Sequence, residues 1–187
     1  MIRALVVGVV ILAVVLIGVA GLHRMGDRSR MLACQANLRD LQLALAMYAQ
    51  DNDGFFPLRP PPGGNYTGSR WKAWPMRFVF RDGYKDIPEV AGPIEPYVKN
   101  VSIYACPSDP ALWGDGGSEG VVGVYTWNLD LSGKRYDDVA NEPLLWCRGP
   151  WHRMRLRGPF GRNVILVKGA AAYWLPEDEF EAMRKSK

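Results

Sequence analysis

From Ala4 to Leu22 the chain carries no charged or polar side chain, nineteen residues of Ala, Val, Leu, Ile and Gly. As a helix rising 1.5 Å per residue this run spans about 28 Å, close to the roughly 30 Å hydrocarbon core of a bilayer, so a single membrane span is the first reading. A secretory signal peptide competes with it. Gly18-Val19-Ala20 sets small residues where a signal peptidase cuts, although the apolar stretch exceeds the usual h-region. Beyond residue 22 the pattern changes: Met31, Cys34, Leu38, Leu41, Leu45 and Tyr48 recur at alternating spacings of three and four, one stripe of a helix. Arg39, Asp40, Gln42 and Gln50 fall off that stripe, and Asp51-Asn52-Asp53-Gly54 followed by Pro57 supplies helix-ending chemistry near residue 51. One helix is expected, apolar all round at first and two-faced afterwards.

The rest of the chain alternates loops with β patterns. Residues 57–75 are dense in Pro and Gly but too aromatic for a free linker, so an irregular, ordered loop is expected. Arg77–Phe80 reads as a short strand or helical turn, and Glu95–Lys99 as a helical turn before Ser102–Ala105. Val121–Trp127, bounded by Gly120 and by the turn residues Asn128–Gly133, and Pro143–Cys147 read as strands. Asn163–Trp174 reads as a hairpin with Lys168-Gly169 at a two-residue turn, Gly169 supplying a positive φ. After Pro176, acids from Glu177 to Glu181 and bases at Arg184-Lys185 complement the dipole of a short C-terminal helix. The sum is an α+β protein: a long N-terminal helix, membrane-spanning in its first half, its stripe packed on a small, mostly antiparallel sheet. Residues 1–30 form the anchor and stalk, and 31–187 a single head.

Charge narrows the function only a little. A net charge of +4 and a pI near 9.0 are too mild to argue for nucleic acid. Arg148, Arg153, Arg155, Arg157 and Arg162 crowd around His152, either as a solvated loop or as a polyanion contact. Trp71 and Trp74 are open as an aromatic contact surface, whereas Trp127, Trp146 and Trp174 are expected in the core. With two histidines, no Gly-x-Ser-x-Gly and no phosphate loop, no catalytic residue and no cofactor is expected. Cys34, Cys106, Cys147 and His152 are ligand types that zinc accepts, but without a close-spaced ligand pair no metal site is expected either. Asp51-Asn52-Asp53-Gly54 lacks the alternating ligands and closing Glu of a calcium loop. Arg3 before the apolar run, against Arg24, Arg28 and Arg30 after it, places the head in the cytoplasm on a literal positive-inside count.

Three segments carry a family likeness. CQANLRDLQLALAMYAQDNDGFFP resembles the segment after the membrane helix in a bacterial group of prepilin-like proteins, related to type IV pilins and the pseudopilins of type II secretion. PYVKNVSIYACPSDP is similar to that group's Cys-Pro-Ser-Asp signature, and NVILVKGAAAYWLPEDEF to its terminal Asp-Gly hairpin. The resemblance implies a pilin-like fold and a non-enzymatic structural or assembly subunit of a type II secretion or type IV pilus-like system. Such a subunit is single-pass in the cytoplasmic (inner) membrane, with an extracytoplasmic head that overrides the charge count. Its implied partners are the membrane, like subunits and secretion machinery, with no nucleic acid. It also implies a disulfide between Cys34 and Cys106, which by chain entropy is worth roughly 4 kcal/mol; three buried thiols are the alternative.

The chain departs from the group at four places. Gly8 is followed by Val9, and no acidic residue precedes Asp27, so the family's processing site and early Glu are missing. Lys168-Gly169 replaces Asp-Gly and Ala170 the following His; His152 lies further upstream than the family's His; and Cys147 stands where an acid is expected. These departures keep a second function open, a membrane-tethered binding module derived from the pilin fold and not incorporated in a filament. Intact mass and N-terminal sequencing of the native protein are expected to give a start near Met1 in the membrane fraction. A start after Ala20 in the soluble fraction would make the run a signal peptide.

Overall fold

The computed structural model describes residues 2–58, 93–109, 125–153 and 158–185, with the side chains of 2–5, 20–24 and 101 outside that description. The expected loop beyond Leu58, the 77–80 element, most of the 121–127 strand, Trp71, Trp74, Arg155 and Arg157 lie outside the described residues. Helix α1 runs from Ile2 to Asp51 without a break, about 75 Å of helix. It ends as its sequence demands. Asp53 turns into the left-handed region at φ 53°, and the Gly54 amide, itself at φ 83°, returns to the Ala49 carbonyl at 2.8 Å.

The two halves of α1 differ in what they touch. Among the described residues no helix is long and apolar enough to cross a membrane. Within the apolar run the described side chains are those of residues 6–19, and every one is exposed. From Met31 onward the stripe is buried: Met31, Cys34, Leu38, Leu41 and Leu45 pack into the core with Ala44 and Ala49, and Tyr48 is half-buried beside them. Arg39, Asp40 and Gln50 face solvent. Gln42 corrects the sequence reading. It is 7% exposed, and its amide nitrogen lies 2.9–3.0 Å from the carbonyls of Leu166, Val167 and Gly169, so an off-stripe polar residue pins the sheet's turn to the helix.

Five short strands make one antiparallel sheet: β1 Thr126–Trp127, β2 Pro143–Trp146, β3 His152–Arg153, β4 Phe160–Leu166 and β5 Tyr173–Pro176. The long β4 is the hub, pairing with β2, β3 and β5, while β1 extends the sheet beyond β2. Alternation along the strands makes two faces. Leu145 and Ile165 join the core under α1 with Phe56, Ile94, Tyr104 and Trp127. Trp146 and Val164 point the other way and meet Phe180 of helix α2, Glu177–Lys185, with the Trp146 and Phe180 rings 5.6 Å apart. Three acids open α2 and Arg184-Lys185 close it, as its dipole favours. The fold is therefore α+β, an antiparallel sheet between the long helix and a short C-terminal one.

Two β expectations need correction. The hairpin exists, with Asn163 opposite Trp174, but pairing stops at Val164 and Tyr173, so its loop is far longer than two residues. At its tip the Gly169 amide returns to Leu166 at 3.2 Å, which puts Val167 and Lys168 at the centre of the turn. Gly169 has no positive φ, and Lys168 instead reaches the Asp137 carbonyl. The turn is set by Gln42 on α1 rather than by left-handed glycine chemistry. Residues 129–131, expected as part of a turn, form a short 3-10 helix capped by Asn128, whose side chain accepts from the Asp130 amide.

Replacing Gln42 with Leu keeps the bulk and removes the donor from three inward carbonyls. Thermal or urea denaturation is expected to show a loss of roughly 1–3 kcal/mol, the cost of leaving buried acceptors unpaired.

Candidate metal centre

Between β2 and β3 the chain leaves the sheet and comes back. Trp146 pairs with Val164, and the Cys147 amide still reaches the Asn163 carbonyl at 3.0 Å. His152, six residues past Trp146, pairs with Gly161, only three residues before Val164, so the edge bulges by three residues. The bulge turns at Gly149-Pro150. A β-carbon on Gly149 would sit 2.3 Å from the Trp151 ring, so the turn tolerates glycine alone there. Its effect is to aim Cys147 and His152 at the same point under α1, with the Cys147 sulfur 3.2 Å from His152 Nε2.

Two more elements deliver thiols to that point. Cys34 sits on the α1 stripe with its sulfur 3.1 Å from that of Cys147. Cys106 follows the 3-10 turn Val101–Tyr104, which is capped by Asn100. Its sulfur lies 4.0 Å from Cys147 and 3.5 Å from His152 Nε2. The four donor atoms all lie within 4.8 Å of one another, and all four residues are buried. No sulfur is bonded to another: the three cysteines are free.

The surrounding side chains hold these donors from outside. Asn37 of α1 donates to the Ala105 carbonyl at 3.0 Å, fixing the residue before Cys106. Asn163 donates to the Met31 carbonyl and accepts from Gln35, locking β4 to α1 beside Cys34. Trp174 donates its indole N–H to the His152 carbonyl at 3.2 Å. Arg162 donates to the carbonyls of Cys147 and Arg148 and pairs with Glu177, so it clamps the bulge and α2 together. Arg148 reaches the buried Asp109, whose amide closes a turn on the Cys106 carbonyl.

These contacts reassign the arginine cluster. Arg162 is mostly buried, Arg148 is ion-paired, and Arg153 stacks 3.7 Å over the Phe160 ring opposite it. A cavity of about 300 Å³ beside His152 is lined by Asp27 as well as Arg153, so its charge is mixed. Two of the five proposed polyanion contacts thus serve the bulge itself. Of the three tryptophans expected in the core, Trp127 and Trp146 are buried and Trp174 is half-buried.

The thiols do not share one proton affinity. Burial opposes ionisation of Cys34, yet hydrogen bonds with Cys106, Cys147, Asn163 and Tyr125 outweigh it and hold that thiol well below its ordinary value. Burial pushes Cys147 well above. As a nucleophile the set is badly placed, since Cys147 is 0% exposed and a Cys–His pair acts only where substrate can approach. Three sulfurs and an imidazole converging in a closed site instead match what a tetrahedral metal requires.

The sequence reading weighed these four residues as zinc ligands and set them aside for want of a close-spaced pair, the three cysteines being far apart along the chain. One signal was present: Cys147-x4-His152 is within the spacing that paired metal ligands use, and Gly149-Pro150 between them is a turn. Compared with known proteins, the chain matches no family model, no curated protein and no solved structure.

Arg162→Met should release the bulge from two carbonyl contacts and from Glu177. The expected result is a loss of about 1–3 kcal/mol in denaturation, with faster labelling of Cys147 by a thiol reagent in the native protein.

Proposed function

We propose that this chain is a membrane-anchored, pilin-like structural or assembly subunit, with residues 4–22 in the cytoplasmic membrane and the head outside the cytoplasm. The observation that carries the reading is the contrast along α1. Val, Ile and Leu side chains between residues 6 and 19 are exposed on every side of the helix, Ile17 to 73%, whereas the same helix from Met31 buries one face in the head. Apolar side chains exposed all round a helix need an apolar surrounding, and the nineteen-residue run in the sequence has the length of a bilayer span, although among the described residues no helix is long and apolar enough to cross a membrane. A helix that is anchor first and core second, carrying an antiparallel sheet, is what the prepilin resemblance leads one to expect.

Head orientation rests on that resemblance, against Arg24, Arg28 and Arg30 following the run. One observation favours a second reading, a tethered binding module that stays out of filaments. No acidic residue lies before Asp27, so the run lacks the in-membrane carboxylate expected to pair with a neighbouring subunit.

Alkaline carbonate extraction of native membranes is expected to leave the protein in the pellet, and release into the supernatant would overturn the anchor. Single cysteines placed along residues 6–19 are expected to cross-link chain to chain along one helical face in a subunit. Absence of cross-links in membranes that retain the protein would favour the tethered module.

A further inference from the structure

We infer that Cys34, Cys106, Cys147 and His152 bind one structural zinc ion that fastens the long helix to the sheet. Around a zinc with sulfur ligands at about 2.3 Å and nitrogen at about 2.0 Å, tetrahedral geometry puts neighbouring sulfurs about 3.8 Å apart and sulfur and nitrogen about 3.6 Å apart. The contacts here, 3.1 and 4.0 Å between sulfurs, fall on either side of the first value, and 3.2 and 3.5 Å from sulfur to Nε2 fall up to 0.4 Å short of the second. The set has four protein ligands, all buried, which is the closed composition of a structural site and leaves no position for water or substrate. Thiolate with imidazole in a tetrahedron selects zinc over harder divalent ions.

His152 presents one ring nitrogen to the cluster. His152 is 2% exposed, and its Nδ1 is buried without a hydrogen-bond partner, while Nε2 is the nitrogen aimed at Cys106 and Cys147. The ring is thus positioned by its backbone, and its Nε2 is the nitrogen presented to the sulfurs. The ligands come from α1, from the turn after Val101–Tyr104, from the residue after β2 and from the start of β3. One ion would thus join the helix, the turn at Cys106 and the bulge between β2 and β3, three regions remote in sequence.

Binding converts three thiols to thiolates, so three protons leave to solvent for each ion taken up, and no electron is transferred. The competing fate of the same atoms is a disulfide between two of the three cysteines, with the sulfurs of Cys34 and Cys147 3.1 Å apart. The two exclude each other, because oxidising any pair removes two ligands. Zinc in the site would keep these thiols reduced even where the compartment is oxidising. The site does not depend on where the head resides.

The test uses the full chain purified in detergent without added chelator or reductant. Elemental analysis is expected to give one zinc per chain, and X-ray absorption at the zinc edge three sulfurs and one nitrogen. Replacing zinc with Co(II) is expected to give the visible spectrum of a tetrahedral thiolate site, a readout that needs no variant. Cys147→Ser and His152→Ala should each lose the ion, and stripping zinc from the wild-type chain should lower Tm by roughly 10 °C or more. Three outcomes would overturn the proposal: chains without metal whose three thiols all titrate as free, a peptide map linking two of the three cysteines, or iron in place of zinc.

Discussion

Between Met31 and Ala49 helix α1 buries a continuous face against the sheet, and this single packing contact sets the position of everything else in the head. The stripe supplies Cys34, Leu38, Leu41 and Leu45, each fully buried, and the sheet answers with Leu145 and Ile165 from β2 and β4. Burying side chains of that size contributes about 1.5–3 kcal/mol each before entropy is charged against them. Apolar packing alone would let the helix slide along the sheet. What fixes its register is polar: Gln42 on the turn carbonyls, Asn37 on Ala105, and Gln35 with Met31 on Asn163. Each of these bonds is directional and lies at the rim of the stripe, so a shift of one residue breaks several together.

The convergence of three cysteines and a histidine is a product of that register. Cys34 lies one turn from Leu38, so it can reach Cys147 only when the helix is seated as described. The bulge between β2 and β3 completes the set, and its shape is held by Arg162, Arg148 and the close fit of Gly149 to Trp151. A basic cluster that looks in the sequence like a surface for anions is, at Arg148 and Arg162, the scaffold of a buried site. Packing at the stripe and chemistry at the centre are thus parts of one constraint.

Much of the architecture was legible because it follows from periodicity. The three-and-four spacing named the buried face of α1, Asp53-Gly54 marked its end, an apolar run marked β2, and the hairpin reading of 163–174 marked β4 and β5. The misses have a common cause: they depend on contacts between residues distant in sequence. Gln42 is polar and off the stripe, and its burial follows only from the turn that comes to meet it. Gly169 looked like a left-handed turn residue, yet that turn is anchored from α1 and needs no positive φ. The convergence of Cys34, Cys106, Cys147 and His152 joins cysteines far apart in sequence, with Cys147-x4-His152 its one local trace.

The central claim is that one continuous helix serves two environments, a bilayer along its first half and the protein core along its second. Spin labels placed singly along α1 in protein reconstituted into lipid nanodiscs test it most directly, read by accessibility to oxygen and to a water-soluble relaxant. The account predicts high oxygen access on all sides from residue 6 to 19, then a 3.6-residue alternation from 31 to 49 with protected positions at 31, 34, 38, 41 and 45. Access of the water-soluble reagent throughout residues 6–19, or loss of the alternation beyond residue 31, would contradict it.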